Sequence, residues 1–164
     1  MNITYQTPER LRMLTDNSRQ DTLQVIRKFK KKKPKFLDGL VHRLHDEAFA
    51  RFSCLECANC CKTVGPRLSE TDIGRLSLHL KMRPSEFTER YVVTDEDGDM
   101  VFNQHPCPFL EEDNYCMVYE NRPKACREYP HTDRKRFVQI LGLSHKNCEI
   151  CPVVFEIFNE LKKY

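Results

Sequence analysis

The chain has 164 residues, 40% of them hydrophobic, and a formal net charge of +3 at pH 7. That suffices for one ordinary domain with a helical extension. Five glycines and no tryptophan exclude a collagen-like or mucin-like segment. The first residues, Met-Asn-Ile-Thr-Tyr-Gln-Thr-Pro, form no apolar signal core, and no run reaches the roughly 18 apolar residues of a membrane span, so the expectation is a cytoplasmic protein.

Residues 8–30 read as a helix whose apolar stripe (Leu11, Leu14, Leu23, Val25, Ile26, Phe29) is interrupted by Ser18 and Thr22. Charge is uneven here: residues 1–36 carry ten Lys/Arg against Glu9, Asp16 and Asp21, whereas the other 128 residues carry 17 against 21 acidic ones. The excess lies in Arg27-Lys28-Phe29-Lys30-Lys31-Lys32-Lys33-Pro34-Lys35. A solvated linker is the plain reading. Phe29 and Phe36 beside the lysines also make Arg27 to Lys35 a weak candidate for nucleic-acid or anionic-lipid contact. Pro34 breaks the preceding helix, and a second helix is predicted from about Phe36 to Phe52. There Leu37, Leu40, Val41 and Leu44 recur at helical spacing, with Ala48 and Phe52 continuing the face.

Four of the nine cysteines come next in eight residues, Cys54-Leu-Glu-Cys57-Ala-Asn-Cys60-Cys61. Thiolates this close repel unless a cation neutralises them, which points to zinc or the iron of an iron–sulfur cluster. As a continuous helix the stretch would turn all four into one pocket. As a knuckle turn, the first pair would clasp one metal and the last pair another. A disulfide framework is disfavoured by the odd count, the chain length and the lack of an export signal.

Ser69 reads as the cap of a helix with Ile73, Leu76 and Leu80 on its apolar face, and Pro84 starts another through Phe87 to Tyr91. Asp95-Glu-Asp-Gly98-Asp is predicted to be a turn between extended pieces at 91–93 and 100–102. It lacks the ligand ladder of a calcium loop. Residues 106–110 and 115–119 read as two short strands with Cys107 and Cys116 facing across them. Pro123 starts a short helix carrying Cys126 and Arg127, and residues 152–162 form a C-terminal amphipathic helix.

These motifs together (Cys54-x-x-Cys57-x-x-Cys60-Cys61, Pro106-Cys107-Pro108-Phe109-Leu110, Cys116-x-x-Tyr119, and Arg122-Pro123-x-x-Cys126-Arg127 with Tyr129-Pro130) resemble the YkgJ-like cysteine cluster family. That family is described as a zinc- or iron-chelating domain with a CxxCxxCC signature, and the resemblance covers roughly residues 50–155. It implies that Cys54, Cys57, Cys60, Cys61, Cys107, Cys116 and Cys126 are metal-binding positions, and Cys151-Pro152 is similar to a later Cys-Pro of such sequences. Cys148 matches no position and reads as a buried or spare thiol. One branch of the family is similar to flagellin lysine methylases, longer proteins with an iron–sulfur cluster and S-adenosylmethionine. This chain shows no separate domain for such a cofactor.

Eight thiolates can build two Cys₄ zinc sites, or one four-iron cluster and one zinc site, and spacing fits both. His105, two residues before Cys107, is a lesser ligand candidate, as are His131, His42 and His45. His45-Asp-Glu47 ahead of Cys54-x-x-Cys57 lacks the spacing and proline of a zinc deaminase. Arg122 and Arg127 are expected to brace the cluster by binding carboxylates or carbonyls. The expectation is a small α+β metalloprotein, mainly helical with a minor β-hairpin. Residues 1–49 form a helical extension with a basic segment, and residues 50–164 the cysteine-cluster domain. The leading role is a metal-binding structural or interaction module. The rival is an iron–sulfur enzyme or electron-transfer protein.

Overall fold

The structure is a computed structural model that describes residues 6–164. It is mostly helical with one two-stranded antiparallel sheet, in keeping with an α+β chain. The polypeptide forms two compact units, Met1–Asn59 with Pro130–Tyr164, and Cys60–Tyr129. Among the described residues no helix is long and apolar enough to cross a membrane.

The first unit is helical. The helix expected over 8–30 is two helices, α1 (Pro8–Asn17) and α2 (Arg19–Lys30). Ser18 divides them: its Oγ donates to Leu14 O at 2.9 Å, and Thr22 Oγ1 donates to Ser18 O at 3.1 Å. Such back-bonding competes with the helical ladder and bends it. α3 (Pro34–Phe49) has Pro34 in its first turn and buries Leu37, Leu40, Val41, Leu44 and Ala48, the stripe read from the sequence. It ends a few residues before Phe52, which is also buried.

No element was expected between residues 131 and 150. A 3₁₀ turn occupies Phe137–Ile140, with α9 (Leu141–Asn147) directly after it. The carboxylate of Asp38 accepts from the Arg136 and Phe137 N–H groups at 2.7 and 2.8 Å and so fixes the start of this segment. α10 (Pro152–Leu161) packs on α1, α2, α3 and α9, burying Val153, Val154, Ile157, Phe158 and Leu161.

In the second unit, α6 (Glu70–His79) opens with a capping box. Asp72 N–H donates to Ser69 Oγ at 3.1 Å, and Ser69 N–H returns the bond to Asp72 Oδ2 at 3.1 Å. α7 (Pro84–Tyr91) leads into β1 (Val92–Thr94), which pairs with β2 (Met100–Phe102) in the register Val92–Phe102. Gly98, at φ +82°, makes the turn between them. The core gathers Leu68, Ile73, Leu76, Phe87, Phe102, Phe109 and Val118, with Cys107 and Cys116 packed against it. Phe109 stacks on Phe87 and meets Phe102 edge-on.

The strands expected at 106–110 and 115–119 do not form. One antiparallel bridge, Leu110 with Cys116, takes their place. Pro106 and Pro108 have no N–H to give a ladder, and Leu110 N–H turns back to Cys107 O at 3.0 Å. α8 (Lys124–Glu128) comes directly after Pro123 as expected.

Candidate metal centre

The cysteine run is not one helix. α4 (Cys54–Cys57) stops at Ala58, which is left-handed at φ 51°, and α5 (Asn59–Thr63) starts afresh. A left-handed residue reverses the chain direction and rotates the next residues off the preceding helical face. Of the two alternatives read from the sequence, the continuous helix is therefore not formed. Cys54 and Cys57 belong to the first unit, and Cys60 and Cys61 to the second.

Within the second unit, backbone bonds bring distant cysteines together. Cys107 N–H donates to Cys61 O at 2.8 Å. The Leu110–Cys116 bridge and the bond from Met117 N–H to Phe109 O at 3.0 Å fold the Cys116 segment onto the Cys107 segment. Cys126 is presented by α8. Its thiol lies within electrostatic range of Cys61, Cys107 and Cys116, and burial first, then those neighbours, push it up to about 12. Burial likewise holds Cys107 at about 12, with Cys61 and Cys116 adding to the effect. Cys61 is the exception. A hydrogen bond from Cys60, whose sulfur is 4.0 Å away, outweighs burial and, with Arg122 and Lys62, brings it to about 7. Thiols raised by burial, as Cys107 and Cys126 are, ionise near neutral pH only with a cation beside them.

Asp72 braces this arrangement. Its side chain is 3% exposed. It accepts from Ser69 Oγ at 2.6 Å, Arg75 Nη2 at 2.5 Å and Lys124 N–H at 3.0 Å. Burial alone would raise this carboxyl, but those bonds prevail and hold it at about 2. Arg75 donates in turn to Asn121 O at 3.3 Å and Arg122 O at 2.8 Å. The pair thus clamps the loop between Cys116 and Cys126. Arg122 donates to Tyr119 O at 2.6 Å with its guanidinium over the Tyr119 ring, and Arg127 donates to Arg122 O. Both arginines bind carbonyls, as expected of bracing residues. Beyond the Ser69 cap, no sequence pattern signals the Asp72–Arg75 clamp, because its partners are backbone groups some fifty residues away.

In the first unit, Cys151 precedes α10 and lies within electrostatic range of Cys54 and Cys57. Burial pushes it up to about 12. Asn59 Nδ2 donates to Gln6 O at 2.7 Å and to Ile150 O at 3.2 Å, which ties the start of α5 to the residue before Cys151. Cys148 is 1% exposed, and its thiol donates to Ser144 O at 3.4 Å.

The histidines have other partners. His42 Nε2 lies 3.1 Å from Arg134 O, and His45 Nδ1 lies 2.7 Å from Thr132 Oγ1 with its ring against Phe49. His105 packs over Gly65, where an added Cβ would stand 3.2 Å from its Cε1. Among the described residues no disulfide is present. Nor do three or more His, Cys, Asp or Glu side chains stand at coordinating distance as they are. The thiols converge at electrostatic range, and their softness suits zinc or iron. In donor chemistry they fit such a metal.

Residues 53–152 match the CxxCxxCC family, whose description reads "Putative zinc- or iron-chelating domain". The chain belongs to this family. No curated protein and no solved structure matches it. The CxxCxxCC match covers every cysteine of the chain, Cys148 and Cys151 included. It supports metal binding through cysteines and does not select zinc over iron.

Proposed function

We propose that this protein is a thiolate-bound zinc or iron–sulfur protein in which Cys54, Cys57, Cys60, Cys61, Cys107, Cys116, Cys126 and Cys151 supply the ligands. The metal acts as a structural element of a binding or interaction module. The observation that carries the reading is the backbone pairing that brings three cysteine segments together, Cys107 N–H on Cys61 O at 2.8 Å and Cys116 bridged to Leu110. Neutral thiols bury at little cost, as small apolar groups, but several thiolates buried together are costly. A divalent cation turns that cost into a bond. Residues 50–164 carry every ligand in this reading. Cytoplasmic residence accords with so many reduced thiols.

Of the two metals, zinc answers the structural role, since it forms closed tetrahedral thiolate sites without redox chemistry. Zinc bound in this way would fix the Cys107, Cys116 and Cys126 segments, while Asp72 and Arg75 orient the loop between the last two. The basic stretch from Arg27 to Lys35 offers little to a stacked base, because Phe29 is buried in the core and only Phe36 is exposed.

Elemental analysis and a visible spectrum of anaerobically purified protein test the proposal. Colourless protein with bound zinc is the expected result. Brown protein with iron and sulfide moves the reading to an iron–sulfur protein with electron-transfer or methyl-transfer-like chemistry. Protein without either metal overturns it.

A further inference from the structure

The turn between α2 and α3 projects from the first unit and carries charge of one sign. Phe29 before it and Leu37 after it are buried, while every residue from Lys30 to Phe36 is exposed. Backbone bonds hold the turn in shape: Lys31 N–H donates to Lys28 O at 3.3 Å, Lys32 N–H to Phe29 O at 3.0 Å and Phe36 N–H to Lys33 O at 3.0 Å. Arg27, Lys28, Lys30, Lys31, Lys32, Lys33 and Lys35 stand here with no acidic residue among them.

Folding adds a second basic segment from far along the chain. Asp38 accepts from the Arg136 and Phe137 N–H groups at 2.7 and 2.8 Å, and His42 Nε2 lies 3.1 Å from Arg134 O. Asp38 is only about 4.5 Å of helix rise from Lys35. Arg134, Lys135 and Arg136, all exposed, are thereby fastened to the end of α3 that bears the lysines. Among the described residues none of these cations forms an ion pair. The carboxylates beside them are Asp38, already engaged by those N–H groups, and Asp133.

We propose that this basic patch, built from residues 27–36 and 134–136, docks the protein reversibly on an anionic lipid bilayer, with the Phe36 ring entering the interface. Helix stability does not account for the lysines. Cations in the last turn of α2 suit its C-terminal dipole, but Lys33 and Lys35 stand at the N-terminus of α3, where that dipole repels them. Lys33 is a cap residue without a side-chain cap bond, and the first turn of α3 has no acidic residue. A negatively charged surface offsets that cost. Each Lys or Arg close to such a surface strengthens attachment about fivefold. Phe36, 55% exposed among the lysines, supplies the apolar contact that a polybasic segment alone lacks. A nucleic acid is served less well, because a projecting tip with a single exposed ring offers neither a groove for the strand nor a stacking platform.

Vesicle sedimentation of the full chain tests this. The vesicles are phosphatidylcholine, either alone or with about 30% phosphatidylserine, at about 0.1 M and about 0.5 M salt. Binding to the acidic vesicles alone, with release at the higher salt, is expected. Lys31→Ala, Lys32→Ala and Lys33→Ala combined should weaken it about 100-fold, and Arg134→Ala with Lys135→Ala about 20-fold. Phe36→Ser should weaken it about fivefold. All these positions are exposed, so the far-UV spectrum should not change. No binding to the acidic vesicles, equal binding to both kinds, or undiminished binding by the triple lysine variant overturns the proposal. Undiminished binding by the Arg134 and Lys135 variant removes the second segment from the patch, and by Phe36→Ser the inserted ring. A short RNA or DNA duplex that displaces the protein from acidic vesicles at equal phosphate concentration overturns the proposal in favour of a nucleic-acid surface.

Discussion

At the scale of single residues, Asp72 has the largest structural consequence outside the cysteines. Its carboxylate satisfies two backbone N–H groups, a hydroxyl and a guanidinium in a buried setting. Asp72→Ala would leave these donors without an acceptor, and we expect a loss of about 3 kcal/mol in urea unfolding. The group is held at about 2 against an ordinary value of 3.8. A carboxyl whose folded value is depressed contributes stability that is fully present above the ordinary value and lost as pH falls through the folded one. Between about pH 4 and pH 2 the unaltered chain should therefore lose about 2 kcal/mol that Asp72→Asn does not lose. Parallel urea curves across that range check this. Equal slopes for the two proteins would show that Asp72 is not held low. The capping residue Ser69 was legible in the sequence. The role of Asp72 was not, because it depends on Lys124 and on Arg75 reaching Arg122 O, contacts that only tertiary structure creates.

At the scale of elements, periodicity was a good guide where one apolar stripe met one core. α3, α6, α7 and α10 all lie close to where spacing and proline placed them. It was a poor guide where polar residues redirect the backbone. Ser18 and Thr22 had looked like blemishes in one stripe, but both hydroxyls bond carbonyls four residues back, at the break between α1 and α2. The segment 137–148 was missed for the opposite reason. Phe137, Ile140, Leu141, Ser144 and Cys148 do lie at helical spacing, but two of the five are not obvious core residues, and Gly142 lies among them. The prolines flanking Cys107 show why that stretch gives a bridge and no ladder. Ala58 is the element-level feature that matters most for the proposed metal centre. A β-branched side chain strongly resists the left-handed region. Ala58→Val should lower stability by about 1–3 kcal/mol, through this strain and crowding at a 3% exposed position, and weaken metal retention with it. Thermal unfolding and bound-metal content of the variant check this. Unchanged values would mean that the break between α4 and α5 is incidental.

At the scale of the whole chain, the cysteine pattern was legible and its partition was not. Four motifs in order pointed to the CxxCxxCC family, and the match over residues 53–152 agrees. Spacing alone left one pocket and two knuckles equally open, because a left-handed alanine has no signature in sequence. Each unit has an apolar core of its own, built on Phe29, Leu37 and Phe158 in the first and on Phe87, Phe102 and Phe109 in the second. Chelation is therefore expected to loosen the thiol-bearing segments Cys54–Cys61, Cys107–Cys126 and Cys148–Cys151 most, and to leave α3 packed on α10 the longest. Hydrogen exchange with and without chelator reads this directly, and uniform protection in both states would oppose it.

The most direct measurement is the thermal unfolding of the full chain with its metal bound, stripped under reducing conditions, and restored. Thiolate–metal bonds that join remote segments add their binding energy to that of folding. The stripped chain should melt more than about 10 °C below the loaded one and recover when zinc is returned. A stripped chain that melts at the same temperature, with the same far-UV spectrum, would contradict the account.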